Sequence, residues 1–359
     1  MNYRSTILLA EESASTAGTK TIDINNTEPI SRISVFFRGQ NSSDTPLAHP
    51  AKMVSKIELV NGADVLMSLS GYQARALDFY MNRQPVPEKV MYTDDDWTRM
   101  TFNLNFGRYL YDPRFALVPT NYKNPQLKIT HNMALGGSAC DDAYLQVYAD
   151  CFDEKLVSPE GFLMAKEHYS YALGNNSYET VDMPVDRPYR LIMVRALEKT
   201  YAIWEMFDAI KFSSDQDKHI IIDGNTRELL KLLDAQFGPY IETIQGRVGG
   251  GAVGHYLTPT SEVNATIIGY GGTRDYFAGY QPWGGYIETY GSAALARFQG
   301  IMTGYAPHGA LCIPMGDLND PADWFDVATV KSLKLRIHAA SGYSGAATCD
   351  VVIQQVRTD

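Results

Sequence analysis

The sequence predicts an all-β protein built from two tandem antiparallel sandwiches of about eight strands each, with short helices and long loops. Two observations carry this prediction. A strand signal, TIDI at residues 21–24, returns as TVDM at residues 180–183, about 160 residues later, and each copy is followed at the same interval by a proline, Pro29 or Pro188. Turn-forming residues also punctuate the chain about every 8 to 15 residues, which is the spacing of an all-β sandwich or barrel.

The rest of the chain repeats in the same order, which indicates that a whole domain has been duplicated. An Asn-Gly pair ending at Gly62 and an Asp-Gly pair ending at Gly224 each lie between apolar runs. Both are hairpin signals, because these residues tolerate the positive φ of a tight turn. The matched segments are 21–24 with 180–183, 57–67 with 220–229, 113–119 with 307–314, 127–130 with 333–336, and 144–148 with 351–355.

In the first half, residues 1–18 are predicted to form an N-terminal arm, because a short apolar strand runs into a small-residue stretch. Residues 19–154 are predicted to form the first sandwich. Within it, Ser70 and Gln73 match a capping box and begin a helix of two or three turns that ends before Pro85. Strands are predicted at 19–24, 30–37, 57–60, 63–67, 101–106, 115–118, 127–130 and 144–152.

In the second half, residues 155–177 are predicted to be a linker and residues 178–359 the second sandwich. A leucine cluster that begins at Leu229 favours a short helix, in the position of the helix in the first half. The halves differ most at about 244–295, where glycines alternate with tyrosines and other aromatic residues. This stretch is predicted to be a long loop insertion at one end of the second sandwich, and large surface connections often carry function.

Composition and charge exclude several classes of protein. The chain of 359 residues has 45% hydrophobic and 20% charged residues, typical of a globular protein, and a formal net charge of −10. Nonspecific nucleic-acid binding depends on Lys and Arg that neutralise phosphates, so no direct nucleic-acid binding is expected. No run approaches the roughly 18 apolar residues of a membrane-spanning helix, and the apolar run at residues 7–10 is too short for a signal peptide.

No motif predicts catalysis, a cofactor or a metal site. Residues 249–254 satisfy G-x-G-x-x-G, but Pro259 follows and no helix is apparent, so a dinucleotide site is not expected. The acidic turn at residues 94–96 lacks the later Glu of a calcium loop, and the seven histidines are scattered singly. We therefore predict no catalytic, cofactor-binding or metal-binding residues. The four cysteines lack C-x-x-C spacing and are expected to be reduced, buried thiols: Cys140, Cys151, Cys312 and Cys349.

The aromatic residues of the 244–295 stretch leave one alternative function open. Trp283 and Tyr286 are residues of the kind that stack on sugars in carbohydrate-binding sandwiches, and a carbohydrate-cleaving enzyme would need two carboxylates about 5–10 Å apart in a groove. Such rings also pack loops and subunit surfaces. A carbohydrate-binding or carbohydrate-active β-sandwich protein is therefore the alternative. A virion receptor-binding spike fits less well, because spikes usually have fibrous repeats or one globular head.

Two similar sandwiches in one chain, without a catalytic motif, resemble the double jelly-roll major capsid proteins of tailless icosahedral viruses, many of which have an internal membrane. The resemblance covers nearly the whole chain and rests on repeat architecture and element order. The residues that carry it are 21–24 with Pro29, 56–69 with their Asn-Gly turn, and 102–119, together with their counterparts in the second half. It implies that each sandwich is a jelly roll of eight strands in two sheets.

The resemblance also implies a structural virion protein that catalyses nothing. Three copies, each with two upright sandwiches, would form a pseudo-hexameric capsomer of an icosahedral capsid. The implied partners are the other copies of the homotrimer, neighbouring capsomers, minor capsid or penton proteins, and an internal membrane reached through the N-terminal base. The 244–295 insertion would form a tower on the outside, and assembly would take place in the host cytoplasm. Arg4 is the only basic residue of the predicted arm, which argues against strong electrostatic contact with an anionic membrane.

Overall fold

The computed structural model describes residues 2–248, 251–270, 278–290 and 296–358. The strands up to the middle of the chain are β1 (Tyr3–Ser13), β2 (Gly18–Asp23), β3 (Ile30–Asn41), β4 (Val54–Asn61), β5 (Asp64–Leu69), β6 (Lys89–Met91), β7 (Trp97–Asn105), β8 (Pro125–His131) and β9 (Cys140–Phe152). Those of the second half are β10 (Phe162–Ala172), β11 (Tyr178–Asp182), β12 (Tyr189–Ala196), β13 (Phe207–Ser214), β14 (His219–Asn225), β15 (Tyr240–Val248), β16 (Val253–Tyr256), β17 (Ser261–Tyr270), β18 (Ala278–Trp283), β19 (Tyr286–Tyr290), β20 (Ala296–Tyr305), β21 (Ala310–Pro314), β22 (Leu333–Ala339) and β23 (Thr348–Arg357). The α-helices are α1 (Gly71–Asn82), α2 (Ile203–Met206) and α3 (Thr226–Asp234).

Each half is a jelly roll with the same strand order. The first half has the sheets β1-β9-β3-β7 and β2-β8-β4-β5, and the second half has β10-β23-β12-β21 and β11-β22-β13-β14. When the eight shared strands of either half are numbered in chain order, both halves read 1-8-3-6 and 2-7-4-5. This is the double-sheet arrangement of a jelly roll. The predicted all-β fold class, with two tandem jelly-roll sandwiches, is therefore confirmed.

The repeat extends to the pairing of individual residues. The last two matched segments lie on the right strands but are shifted by a few positions, since Leu127 corresponds to Leu335 and Val147 corresponds to Val351. Equivalent pairs in the two halves are Ile22–Leu127 and Val181–Leu335, Leu59–Leu127 and Phe212–Leu335, Val35–Val147 and Val194–Val351, and Val35–Phe102 and Val194–Leu311.

Two hydrophobic cores meet at the sheet that contains β12. Alternate residues of a strand point to opposite faces, and on β12 Ile192 and Val194 join the core between the two second-half sheets. Leu191 and Met193 point the other way and join the core that continues from the first sandwich. All eight residues of β12 are consequently buried. The centre of the sheet β10-β23-β12-β21 is therefore covered on both faces, one of them by the core of the first half, whereas the second half of β10 is largely exposed.

The predicted arm and linker prove to be strands. β1 pairs along its length with β9, and β10 pairs with β23, so each segment supplies the first strand of its own sandwich. A register shift between Ile7 and Leu9 places a bulge at Leu8. A bulge changes which side chains face the core, so this one breaks the alternation by which the sequence would reveal a strand. The first sandwich thus begins near Tyr3, and the second begins near Phe162.

The second predicted hairpin turn is misplaced. The Asn-Gly turn joins β4 to β5 as predicted, with Gly62 at a φ of 63°. The corresponding turn between β13 and β14 lies at residues 215–218, and Gly224 lies inside β14. Three consecutive residues of that turn, none of them glycine, adopt positive φ. Asp215 supports the turn through its side chain, which accepts hydrogen bonds of 2.9 and 3.2 Å from two backbone N–H groups just before β22.

The third matched segment, residues 113–119 with 307–314, joins two places that are not equivalent. Residues 310–314 form β21, and the topology makes β7 its counterpart. Residues 115–118 form no strand; Leu117 exchanges two backbone hydrogen bonds with Ile30, at 2.7 and 2.9 Å. In the second half Phe325 does the same with Tyr189, at 3.0 and 3.1 Å. A proline-flanked apolar run is a local similarity, and here it does not reflect position in the sheet.

The insertion is longer than predicted and contains strands. In the described residues, α3 and the strands β15 to β20 lie between β14 and β21. With β6 of the first half they form the small sheets β17-β20-β15-β6 and β16-β19-β18. Gly254 of β16 lies under the ring of Tyr286 of the neighbouring strand β19, where a larger side chain would clash. Residues 249, 250, 271–277 and 291–295 lie outside the described residues; they include part of the G-x-G-x-x-G segment and part of the tyrosine-rich stretch.

Candidate functional site at the junction between the two sandwiches

Helix α1 lies between the two sandwiches. It begins with the predicted capping box, in which Ser70 Oγ accepts from the Gln73 backbone N–H at 3.3 Å and Gln73 Oε1 accepts from the Ser70 N–H at 2.8 Å. It ends at Arg83, whose left-handed φ of 56° lets its N–H donate to the Phe79 carbonyl at 2.7 Å. Every residue from Gln73 to Met81 is buried. A helix without a solvent face serves as an internal wedge, and α1 therefore fixes how the halves meet.

Polar side chains of α1 reach the second half directly. Tyr80 Oη donates to the Ala310 carbonyl at 2.7 Å, at the edge of β21. Gln73 Nε2 donates to Asp350 Oδ2 at 3.2 Å and also to Glu167. Asp350 in turn accepts from Arg195 Nη1 at 2.6 Å, and both of these side chains are more than nine-tenths buried. The junction is thus held by directional hydrogen bonds in addition to apolar packing, which fixes its geometry.

Arg75 is the central charge of the wedge. Its Nη1 lies 2.7 Å from Glu88 Oε2 and 3.1 Å from the Thr101 carbonyl, and its Nη2 donates to Tyr240 Oη at 3.0 Å. Burial alone would lower the pKa of Arg75, but Tyr240 and Glu88 raise it above its ordinary value. Burial likewise raises the pKa of Tyr240 to about 12. Arg75 is therefore charged and links α1, the segment before β6, and β15 of the insertion.

A second buried cluster joins the first half to the insertion. His49 Nδ1 accepts from the Ala51 backbone N–H at 3.1 Å, so its Nε2 carries the proton and donates to Thr258 Oγ1 at 3.2 Å. Thr258 Oγ1 donates to Glu242 Oε2 at 2.8 Å. Burial raises the pKa of Glu242 to about 7. The ring of His308 lies 4.7 Å from that of His49. Neither ring nitrogen of His308 has a hydrogen-bond partner in the described part of the chain.

We expect His308→Asn to reduce the acid sensitivity of the fold. Burial, and then the nearby charges of His49, Arg75 and Arg195, lower the pKa of His308 well below 6.5. A histidine held neutral contributes its full stability above the unfolded pKa and loses it as pH falls below that value, by up to about 2 kcal/mol at pH 5. Asn tolerates the left-handed φ of 52° at this position. Urea unfolding from pH 8 to pH 5 measures the difference.

Glu242 changes the stability with pH in the direction opposite to His308, so both proteins that are compared must retain it. Because its pKa is raised to about 7, the folded state binds its proton more tightly than the unfolded state does. Its contribution to stability therefore grows as pH falls from about 7 towards 4.5. The free energy of unfolding of the His308→Asn variant should consequently fall less steeply below pH 6.5 than that of the wild type. Parallel profiles for the two proteins would contradict the assignment of His308 as a buried neutral group.

The β-sheets of the two halves also meet edge to edge. β5 and β10 pair in parallel through Ser68 and Lys166, which makes one eight-stranded sheet out of one sheet from each half. Lys166 Nζ donates to the Val65 carbonyl at 3.4 Å. Beside this pairing, Arg357 at the end of β23 binds Asp64 at the start of β5 through two hydrogen bonds of 3.2 and 2.6 Å. The Arg357 hydrogen bond is the main cause that lowers the pKa of Asp64.

The first sandwich has the corresponding sheet face, but there it is open. The outer face of β1-β9-β3-β7 presents Phe36, which is 40% exposed and lies edge-on to Tyr148 with ring centroids 5.7 Å apart. The Arg38 guanidinium lies 4.5 Å from the Trp97 ring centroid and 4.6 Å from that of Tyr144. A cavity of about 390 Å³ lies on this face. Aromatic residues and arginine are enriched at protein interfaces, so this face is a candidate contact surface.

Helix α3 is the counterpart of α1, but only one of its sides is packed against the protein. Each helix follows the fifth shared strand of its half, and each has an N-cap side chain, Ser70 or Asn225. On α3 only one side is buried, and Leu232 is 67% exposed. Counted from the N-caps, Leu232 occupies the place of Leu77, which is 4% exposed. The predicted helix at the leucine cluster is confirmed, and its free side points away from the second sandwich.

The buried cysteine thiols are not activated as nucleophiles. Burial raises the pKa of Cys140 to about 11 and those of Cys151 and Cys349 to about 12, so these thiols stay protonated and unreactive at neutral pH. All four cysteines are free and buried, as predicted. Among the described residues, no three His, Cys, Asp or Glu side chains are grouped to hold a metal ion. No helix in the described ranges is long and apolar enough to cross a membrane.

Of the two rings named for the carbohydrate alternative, only Tyr286 has a described side chain. Tyr286 packs on the protein itself, with its ring centroid 5.2 Å from that of Tyr256 and 5.4 Å from Lys199 Nζ. The side chain of Trp283 lies outside the described part of the chain. A cleft of about 640 Å³ lies beside the junction and is bordered by buried, hydrogen-bonded groups such as Arg195 and Asp350. The carbohydrate-binding alternative is therefore not favoured.

Comparisons with known proteins agree with this architecture. No protein-family model matches the chain, and no curated protein sequence matches it. Among solved structures, it is similar to the major capsid protein of Sulfolobus Turreted Icosahedral Virus, with 11% identity, a TM-score of 0.58, and 99% of this chain and 96% of that chain covered. For the major capsid protein P2 of bacteriophage PM2 the values are 11%, 0.55, 99% and 98%. For VP54 of PBCV-1 they are 9%, 0.59, 99% and 94%. The chain therefore has the double jelly-roll fold of these capsid proteins.

Proposed function

We propose that this chain is the major capsid protein of an icosahedral virus, with a structural role and no catalytic one. The observation that carries the proposal is the asymmetry between two equivalent sandwiches. The centre of the sheet β10-β23-β12-β21 is covered on its outer face by α1 and the first half, whereas Phe36 on the equivalent face of the first half is exposed. A protein that repeats one interaction surface, satisfies one copy and leaves the other open is suited to assembly with further copies of itself.

Three copies are the number that we propose. A contact that joins unlike surfaces head to tail must close into a ring or grow into a filament. If the contact between chains repeats the contact within the chain, three chains supply six similar sandwiches, and a pseudo-hexameric capsomer closes the ring. The proposed partners are the other two copies, neighbouring capsomers, and minor capsid or penton proteins at other positions of the shell. The proposed location is the virion, after synthesis and assembly in the host cytoplasm.

The proposal includes no membrane contact by Arg4. Its guanidinium lies 2.6 Å from Glu28 and 3.8 Å from Asp153, so its charge is already balanced within the chain. A membrane beneath the shell would have to be reached through other residues at this end of the first sandwich. The net charge of −10 fits a shell that does not bind the genome directly.

The oligomeric state of the purified protein tests the proposal. Multi-angle light scattering is expected to give about three times the chain mass of 39.9 kDa, and negative-stain images should show particles with a hexagonal outline. The measurement should be repeated over a hundredfold range of concentration. A strict monomer throughout that range, with no ordered arrays by electron microscopy, would rule out the proposed capsomer.

A further inference from the structure

Several edge strands have no neighbour in the described structure, and two of them, β14 and β1, are the counterparts of the strands that pair across the junction. β14 is the last strand of β11-β22-β13-β14, and β1 is the first strand of β1-β9-β3-β7. Both carry exposed apolar residues, since Ile220 on β14 is 48% exposed and Ile7 on β1 is 54% exposed. Open, apolar edge strands recruit other strands and are usually covered or charged in stable proteins. Their counterparts β5 and β10 are not open, because they pair with each other across the junction.

The equivalent strands of the two halves can be aligned residue by residue, β5 with β14 and β1 with β10. β5 and β14 each have a register shift against the preceding strand, with Leu66 and Ile221 as the extra residues. β1 and β10 share one against the last strand of the half, at Leu8 and His168, and β1 has a second between Leu9 and Glu12. A bulge is a specific structural feature, and its recurrence at the same place supports the alignment from Thr6 to Leu9 with Lys166 to Tyr169.

The alignment predicts which residues of two chains would meet if the contact within the chain were repeated between chains. On β5, Ser68 follows Met67, the residue that pairs with Leu59. The residue at the position of Ser68 on β14 is Asp223. Lys166 of β10 pairs with Ile353, and its counterpart on β1 is Thr6, which pairs with Ala149. The in-chain bridge joins Ser68 to Lys166. The corresponding bridge would join Asp223 of one chain to Thr6 of the next.

Polar groups beside this bridge are also matched in position. In the chain, Asp64 binds Arg357 at 2.6 Å. The equivalent positions are His219, the first residue of β14, and Asp153, which follows β9. Asp153, which also lies 3.8 Å from Arg4 of its own chain, would accept a hydrogen bond from the imidazole of His219. One wrong pairing is disfavoured by charge, because β5 against β1 would place Asp64 beside Asp153.

We propose that β14 of one copy adds in parallel to β1 of the next copy, so that one continuous sheet crosses the boundary between chains as it crosses the junction within the chain. The occupant of each open edge is a second copy of this chain, and the inference rests on the proposed capsomer. Backbone hydrogen bonds between the strands provide the affinity, and the pair formed by His219 and Asp153 provides the choice of partner. Three such contacts close the ring.

A cysteine pair tests the proposed register. The variant Thr6→Cys with Asp223→Cys is oxidised with copper phenanthroline and run on a non-reducing gel. Because the four natural cysteines are buried, new covalent species report the introduced thiols. We expect a covalent trimer, in which each chain is joined to both neighbours. The matched control is Thr6→Cys with Asp182→Cys, since Asp182 lies on β11, at the far edge of the same sheet, with its side chain 84% exposed.

A charge variant provides a second measurement that does not depend on thiol geometry. His219→Glu places a carboxylate against Asp153 of the neighbour and is expected to raise the concentration needed for half-assembly at least about tenfold. His219→Gln, of similar size and without charge, should change it about threefold or less. A trimer that forms no disulfide between the two introduced cysteines and tolerates His219→Glu would overturn the strand pairing while leaving the capsomer standing. A monomeric wild type would remove both proposals.

Discussion

Replacing Arg75 by methionine is expected to lower the free energy of unfolding by about 3–5 kcal/mol. The change removes the cation but leaves Glu88 buried beside it, at 9% side-chain exposure, and deprives Tyr240 Oη and the Thr101 carbonyl of their donor. Breaking a buried pair from one side costs far more than the pair contributes when intact, because the remaining charge has no compensation. Urea unfolding of the purified variant measures the loss.

The control for this experiment is another arginine of the first half. Arg114 lies 2.8 Å from Glu160, a similar distance, but the two side chains are 45% and 58% exposed. Arg114→Met should therefore change stability by no more than about 1 kcal/mol. If both variants lose the same small amount, Arg75 is not the buried centre of the junction, and the wedge role assigned to α1 fails with it.

The sequence is sufficient to predict the repeat and the elements whose signals are local. The strands around residues 21–24 and 180–183 are equivalent, because β2 and β11 hold the same place in their sheets. The capping box at Ser70 and the Asn-Gly turn at Gly62 are recognised from a few neighbouring residues, and both lie where the sequence predicts them. Such signals depend on backbone geometry within one turn, which single residues dictate.

Elements that depend on distant partners are not predicted correctly. The sequence predicts only a short apolar strand within an arm, because the bulge at Leu8 breaks the alternation, and pairing with β9 shows that the strand is longer and belongs to the first sandwich. The Asp-Gly pair predicts a turn at Gly224, whereas the turn at 215–218 is supported by hydrogen bonds from backbone next to β22 to Asp215. A non-glycine residue at positive φ is stabilised by contacts that its own sequence neighbourhood does not contain.

The junction itself could not be predicted from the sequence. α1 contains Gln73, Arg75 and Asp78, so its composition is that of a helix with one side in water, yet all three residues are buried. Their partners, such as Glu167, Tyr240 and Asp350, lie far away in the chain. One signal was available: a polar helix that repeats the position of α3 in a duplicated chain is a candidate for the contact between the duplicates.

The same equivalence predicts that Leu232→Asp abolishes trimer formation without unfolding the chain. Leu232 is 67% exposed in the single chain, so its replacement removes little intramolecular packing and should change the free energy of unfolding by only about 0.5 kcal/mol. Its counterpart Leu77 is buried at the in-chain junction. If α3 repeats the role of α1 against the open face around Phe36 of the next copy, the variant buries a charge in that contact. Light scattering should then give the mass of one chain.

Tyr178→Asp separates this explanation from a general effect of added charge. Tyr178 is 73% exposed and lies on β11, at the edge of its sheet opposite to β14, so it should lie outside the contact between copies and leave the trimer intact. Loss of a central interface side chain typically costs about 2 kcal/mol or more, which is roughly thirtyfold in affinity. If both variants form trimers equally well, α3 stays in solvent. The contact between copies would then not involve α3 in the way that the contact within the chain involves α1.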